Sequence, residues 1–227
     1  MLCPPAYAES ECVVLLHGLA RVSNSMSELS RKLERANYDV VSINYPSRRH
    51  SIDVLAADAV GRGVASCRLL HAPQISFVTH SLGGILLRYY LVDNEIAELN
   101  KVVMLGPPNQ GSELVDGLLP VPGFKFFGGP TGIALGTDDA GIVASLGAVN
   151  FDLGVIAGTT NINPLARLFI PGPNDSIVSV ESTKVEGMRD HIILPVTHTF
   201  MMRNNQVIDE VIHYLKTGAF IPQEAKP

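Results

Sequence analysis

No block of lysine and arginine occurs anywhere in the 227 residues: 17 basic and 22 acidic side chains are scattered, for a net charge of −5. A nucleic-acid partner therefore has no electrostatic footprint to bind. No apolar run approaches the roughly 18 residues of a membrane span, so no transmembrane segment is expected. The opening stretch MLCPPAYAESEC has neither a basic n-region nor an apolar h-region and is not read as a signal peptide. Cysteine is scarce as well. Cys3, Cys12 and Cys67 make an odd count without CxxC spacing, which reads as three reduced thiols, Cys12 and Cys67 packing as small hydrophobes. Reduced thiols fit a reducing compartment, so a cytoplasmic location is expected. The spacings HExxH, GxxxxGK[ST] and GxGxxG are missing too, and neither a metal nor a nucleotide cofactor is implied.

What remains is apolar material in quantity. Apolar types make up 46% of the chain and charged types 17%, enough for a large core and unlike a disordered chain. The length fits one domain over 1–227 with a modest insertion. Short apolar runs at Cys12–Leu16 (CVVLL), Tyr38–Tyr45, Gln74–Thr79, Lys101–Leu105, Leu153–Ala157 and Ile192–Val196 read as strands, the first apolar on both faces and therefore central.

Helical periodicity lies between them. Ser25–Asn37 repeats Met26, Leu29, Leu33 and Ala36, with Ser25 and Glu28 spaced as a capping box. Ser51–His71 is weakened at Gly61 and Gly63 by about 1 kcal/mol each. Ile85–Asn94 follows the third strand, and Asn204–Lys216 places Val207, Ile208, Val211, Ile212 and Leu215 on one face. Alternating strands and helices predict an α/β fold, a mostly parallel central sheet flanked by helices on both faces. Residues 107–150 break the pattern. The segment is too long and too apolar for a solvated linker and reads as a lid-like excursion over a site.

Chemistry concentrates at Thr79-His80-Ser81-Leu82-Gly83, where a strand runs into a helix. A serine at such a corner stands clear at the C-terminal edge of the sheet, with the next amide near a helix N-terminus. Small residues are needed two positions either side; Gly83 complies, whereas Thr79 stands where a glycine is usual. THSLGG, together with HGL at 17–19, PGPNDSIVSVEST at 171–183 and PVTHTF at 195–200, resembles the bacterial esterase/lipase branch of the α/β-hydrolase superfamily. The resemblance covers nearly the whole chain and is weakest between Pro107 and Asn150.

That resemblance implies a nucleophile, an acid and a base in chain order: Ser81, Asp175 in the Gly/Pro-rich loop after the fifth strand, and His198 before the last helix. A serine hydroxyl needs a base within reach, and the base needs a carboxylate to fix its tautomer. It also implies an oxyanion hole of two backbone N–H groups, at Leu82 and at Leu19, with His17, Gly18 and Gly83 supporting the turns; losing one donor costs roughly 3–4 kcal/mol. His80 adjoins the serine, but the turn is expected to direct it elsewhere. His17 reads as a structural hydrogen-bonding residue, His191 and His213 as solvated or packed, and His50 and His71 carry no motif.

Asp152 and Asp190 precede strands and read as strand-end residues, and an Asx turn is the plain alternative for Asp175. Asn109 or Ser112 are candidates to touch substrate. Leu114, Leu118, Leu119, Phe124, Phe126 and Phe127 are candidates for an acyl pocket or lid, with ordinary packing as the alternative. Arg48 and Arg49 are expected at the surface near Tyr45. The reaction implied is hydrolysis of a small-molecule or lipid-like carboxylic ester through an acyl-enzyme. An acyltransferase, thioesterase or amidase would use the same triad, and a non-catalytic binding protein of this fold is the remote alternative.

Overall fold

The computed structural model describes residues 10–121, 124–138 and 141–222, without the side chains of 124–128. Its six strands are β1 (Cys12–Leu16), β2 (Asp39–Ile43), β3 (Ile75–His80), β4 (Leu99–Leu105), β5 (Asp152–Gly158) and β6 (Asp190–Leu194). They form one sheet in the order β2-β1-β3-β4-β5-β6, parallel throughout. Every residue of β1 and β3 is buried, as strands covered on both faces must be.

Strand alternation divides the core in two. Cys12, Val14, Leu16, Phe77, Met104 and Val155 face α2 (Ile52–Leu69) and α3 (Leu82–Asp93), together with Leu55, Val60 and Ile85. Val13, Leu15, Val78, Val103 and Ile156 face the other way, onto Leu29 and Leu33 of α1 (Ser27–Arg35) and Val207, Val211 and Tyr214 of α8 (Asn205–Thr217). Each fully buried aliphatic or Phe side chain contributes about 1.5–3 kcal/mol. Between β4 and α8 lie the short helices α4 (Glu113–Leu118), α5 (Phe124–Ile133), α6 (Ile142–Ser145) and α7 (Pro164–Phe169). α5 is broken at Gly129, where φ is 64°.

Three expectations are corrected. Cys12 and Cys67 are joined in a disulfide that ties β1 to α2, so they are not reduced thiols, and the cysteine argument for a cytoplasmic location falls with them. β1 and the helix before β3 pack face to face, which brings the two side chains together although 55 residues separate them. Cys3 lies outside the described residues. The capping box does not form: a 3₁₀ turn at Ser23–Met26 precedes α1, and the Ser25 hydroxyl donates to the Val22 carbonyl instead. Gly63 is more than a weak point. A Cβ there would come 2.6 Å from Val14 Cγ1, so its absence lets α2 lie close on β1. Among the described residues, no helix is long and apolar enough to cross a membrane.

Candidate active site

The chain reverses direction across the sheet between β1 and β3, and ligands of open parallel sheets bind outside the strand ends at such a switch point. β1 delivers His17-Gly18-Leu19 there, and β3 delivers His80 and Ser81. The turn at Ser81 is tight: its φ is 52° and ψ −120°, a region that costs a non-glycine residue of order 1–3 kcal/mol. It is held by the Ser81 N–H on Leu105 O at the end of β4 (2.9 Å) and by the Gly84 N–H on Ser81 O (3.0 Å). A Cβ at Gly83 would sit 2.6 Å from the Leu16 carbonyl oxygen, so only glycine lets α3 start this close to β1. The side chain of Thr79, off-pattern in the sequence, is buried against Gly84, whose missing Cβ makes the room; its hydroxyl has no hydrogen-bond partner.

Asp175 and His198 meet. The imidazole Nδ1 lies 2.7 Å from Asp175 Oδ2, and the His198 N–H donates to the Asp175 carbonyl at 3.0 Å. A carboxylate only accepts, so Nδ1 carries the proton and Nε2 presents its lone pair. Asp175 is fully buried, and its other oxygen accepts from the N–H groups of Ile177 (3.0 Å) and Val178 (2.9 Å). Those donors offset the cost of keeping a carboxylate out of water. The Asx turn and the histidine contact thus coexist, one on each oxygen.

The rival acids are engaged elsewhere. Asp152 accepts from Tyr214 and pairs with Arg189, and Asp190 accepts from the Phe220 N–H. Ser81 and His198 line one cavity of about 180 Å³, and no hydrogen bond joins them. Hydrogen bonds of this kind are often long without substrate and tighten in the complex.

The Leu19 N–H has no acceptor among the described residues, and Leu82, first in α3, has none within its helix. Gly18 lies against the nucleophile turn, where an added Cβ would be 3.2 Å from Ser81 Cβ. Behind it, His17 is fully buried and stacked on Tyr45 at 4.0 Å, with Nδ1 on the Gly18 carbonyl, Nε2 accepting from the Tyr45 N–H, and the Tyr45 hydroxyl donating to the His17 carbonyl. Burial lowers its pKa.

His80 is not directed away. It lines the same cavity, and its Nε2–H donates to the His198 carbonyl at 2.9 Å, the rings 4.7 Å apart. Burial, then the nearby His198, hold it well below the ordinary 6.5, so it is neutral. The signal was available in the alternation of β3: His80 shares a face with Val78, where Met201 of the 198–203 turn also packs.

Ordinary packing, one of the two roles open to the apolar candidates of 107–150, is the one Leu114 and Leu118 take. Leu114 packs with Ala166 and Ile170, and Leu118 against them, away from the cavity, and Leu119 is not in its lining. Leu19, Val115, Leu135, Ile177 and Val178 line it instead. The side chains of Phe124, Phe126 and Phe127 lie outside the described residues. Ser112 lines the cavity, its hydroxyl donating to Ile177 O, whereas Asn109 is buried on Arg88 and Thr183. His191 binds Thr183 Oγ1. Among the described residues no cluster of three His, Cys, Asp or Glu side chains is placed to hold a metal ion.

No protein-family model matches the sequence, nor does any curated protein. Solved structures do match in shape. A lipase of Bacillus licheniformis in its mature form superposes with a TM-score of 0.76 at 16% identity, over 92% of this chain and 93% of the lipase. An esterase of Exiguobacterium antarcticum gives 0.65 at 14% identity, over 92% and 93% of the two chains. A phospholipase of Legionella pneumophila gives 0.67 at 18% identity, over 93% of this chain but 60% of its own. On this likeness and the sheet order, the chain has the α/β-hydrolase fold.

Proposed function

We propose that the chain is a serine hydrolase of carboxylic esters acting through an acyl-enzyme on Ser81. The observation that carries this reading is the buried Asp175–His198 contact at 2.7 Å, opening onto the cavity wall that holds Ser81 in its positive-φ turn. The names of the structural neighbours (lipase, esterase, phospholipase) lend it the substrate class.

Ser81 Oγ attacks the ester carbonyl as His198 Nε2 takes its proton. The carbonyl oxygen becomes an oxyanion between the N–H groups of Leu19 and Leu82, and Asp175 stabilises the imidazolium. The imidazolium then returns the proton to the departing alkoxide, leaving Ser81 acylated and free alcohol. Water, deprotonated by the same Nε2, repeats the sequence and releases the acid. Val115 and Leu135 bring the 107–150 excursion into the cavity wall, which supports reading it as a cap within a single domain.

The test is Ser81→Ala assayed on nitrophenyl esters of increasing acyl length, beside labelling of the folded wild-type protein by a fluorophosphonate. Turnover and labelling should both vanish in the variant while its unfolding transition is retained. Activity within a few-fold of wild type would sink the assignment.

A further inference from the structure

Among the described residues Arg21 is the one arginine, lysine or carboxylate that lines the candidate active-site cavity, and it also lines a second, larger cleft of about 760 Å³. That cleft lies between the loops after β1 and β2. It gathers Arg21, Arg48 and Arg49, and among the described residues no carboxylate lines it. In a chain of net charge −5 this is a local reversal of sign. Arg31, Arg62, Arg68 and Arg189 are each matched by an aspartate or glutamate. Arg21 and Arg49 have no such partner among the described residues, and both converge with Arg48 on one cleft.

The two loops are cross-linked, which fixes the spacing of the backbone that carries the three arginines. The Ala20 N–H donates to the buried Ser47 hydroxyl at 3.0 Å, and the Ser23 N–H to Asn44 Oδ1 at 3.3 Å. The field of Arg21 reaches the active site, since it is one of the charges that disfavour protonation of His80.

Resting on the ester-hydrolase reading, we propose that the substrate's alcohol portion carries a phosphate. The apolar cavity takes the acyl chain, and the phosphate sits in the cleft on the guanidinium groups of Arg21, Arg48 and Arg49. The chemistry favours this division. Leu19, Val115, Leu135, Ile177 and Val178 offer an acyl chain apolar contact and would strand an anion. The arginine forks match the oxygens of a phosphate, and their hydrogen bonds to it are charge-assisted. Arg21, common to both linings, stands where the ester's two halves diverge.

Two measurements separate this proposal from the one it rests on. The first is turnover of monomeric 1,2-dibutyrylglycerol 3-phosphate against neutral 1,2-dibutyrylglycerol. The wild-type ratio of kcat/KM should favour the phosphorylated ester by about tenfold or more, and Arg49→Gln and Arg21→Gln should each collapse that ratio towards one. A wild-type ratio of one or less both on these monomers and on phosphatidate vesicles against diacylglycerol vesicles, or a ratio indifferent to both substitutions, overturns the proposal.

The second is calorimetric titration of glycerol 3-phosphate into the Ser81→Ala protein, which needs no turnover. Binding that weakens in Ser81→Ala/Arg49→Gln supports the phosphate subsite even if no ester is cleaved, and absence of binding overturns it. Loss of all ester turnover with binding retained would fault the hydrolase reading alone. Vesicles of long-chain phosphatidate distinguish the source of the phosphate. A preference seen with monomers indicates a soluble phosphate ester, and one that emerges only on vesicles indicates a lipid headgroup; both retain the proposal.

Discussion

The two flanks of Ser81 are built from different materials. On the β1–β2 side are backbone N–H groups and the exposed guanidinium groups of Arg48 and Arg49, on loops joined through Ser47 and Asn44. On the β5–β6 side stands one buried carboxylate holding one imidazole, with three hydrogen bonds on its two oxygens. In the proposed reaction the first flank receives negative charge, from the developing oxyanion and from the substrate, and the second moves a proton. Keeping them apart leaves the Asp175 carboxylate with no arginine among the described residues hydrogen-bonded to it to compete with His198, and the sheet order enforces the separation, because β3 and β4 lie between the two pairs of strands.

The comparison breaks most visibly on the proton-moving side. Asp175→Asn should lower kcat by on the order of 10⁴ while the protein stays folded, because an amide stabilises the wrong imidazole tautomer. Asp152→Asn and Asp190→Asn disturb contacts with Tyr214, Arg189, Phe220 and the His191 N–H, all away from the cavity, and should leave the rate close to wild type. A larger rate loss from either would mean that the carboxylate of this flank is misassigned.

On the other flank the largest expected effect is on stability and not on rate. The Cys12–Cys67 bond closes a loop of 55 residues around β2 and most of α2. Loop-closure entropy makes its loss worth roughly 4 kcal/mol. Urea unfolding of oxidised and reduced protein should show that difference, with ester turnover little changed where the reduced protein is still folded. Equal midpoints would show that this flank does not depend on the bond.

How far these flanks were legible in the sequence follows the range of the interactions. The six strands were readable because apolar runs and turn residues are local signals, whereas the roles proposed for Ser81, Asp175 and His198 came from the resemblance carried by THSLGG, PGPNDSIVSVEST and PVTHTF. The disulfide was not readable, since Cys12 and Cys67 become neighbours only when α2 packs on β1, and nothing in their spacing says so. Which apolar residues of 107–150 line the cavity and which merely pack was left open for a similar reason. In α4, Leu114 and Val115 are adjacent and both apolar, and only the placement of α7 decides that Leu114 turns towards Ala166 and leaves Val115 to the cavity. The arginine cleft was invisible because it joins two loops, after β1 and β2, whose contact depends on strand order.

His80 touches both flanks and gives the smallest and most discriminating test. Its Nε2–H holds the His198 carbonyl, and its Nδ1 faces Gly18, where a Cβ would be 2.7 Å away. Burial, His198, Arg21 and His17 all keep it neutral, against only the hydrogen bond to His198 O. Unfolding frees the ring to take a proton at its ordinary value of 6.5, so below that pH the unfolded chain binds more protons than the native one. Stability should therefore fall as pH drops below 6.5, by up to about 1.4 kcal/mol per pH unit for this group. His17 and His191, lowered in the same direction, add to the slope. His80→Gln keeps a donor for the His198 carbonyl and removes the titration. It should flatten the acid side of the stability profile by one group's share while retaining more ester turnover than His80→Ala. An unchanged slope would mean that His80 is already protonated in the native state, and the neutral bridge between the flanks would have to be abandoned.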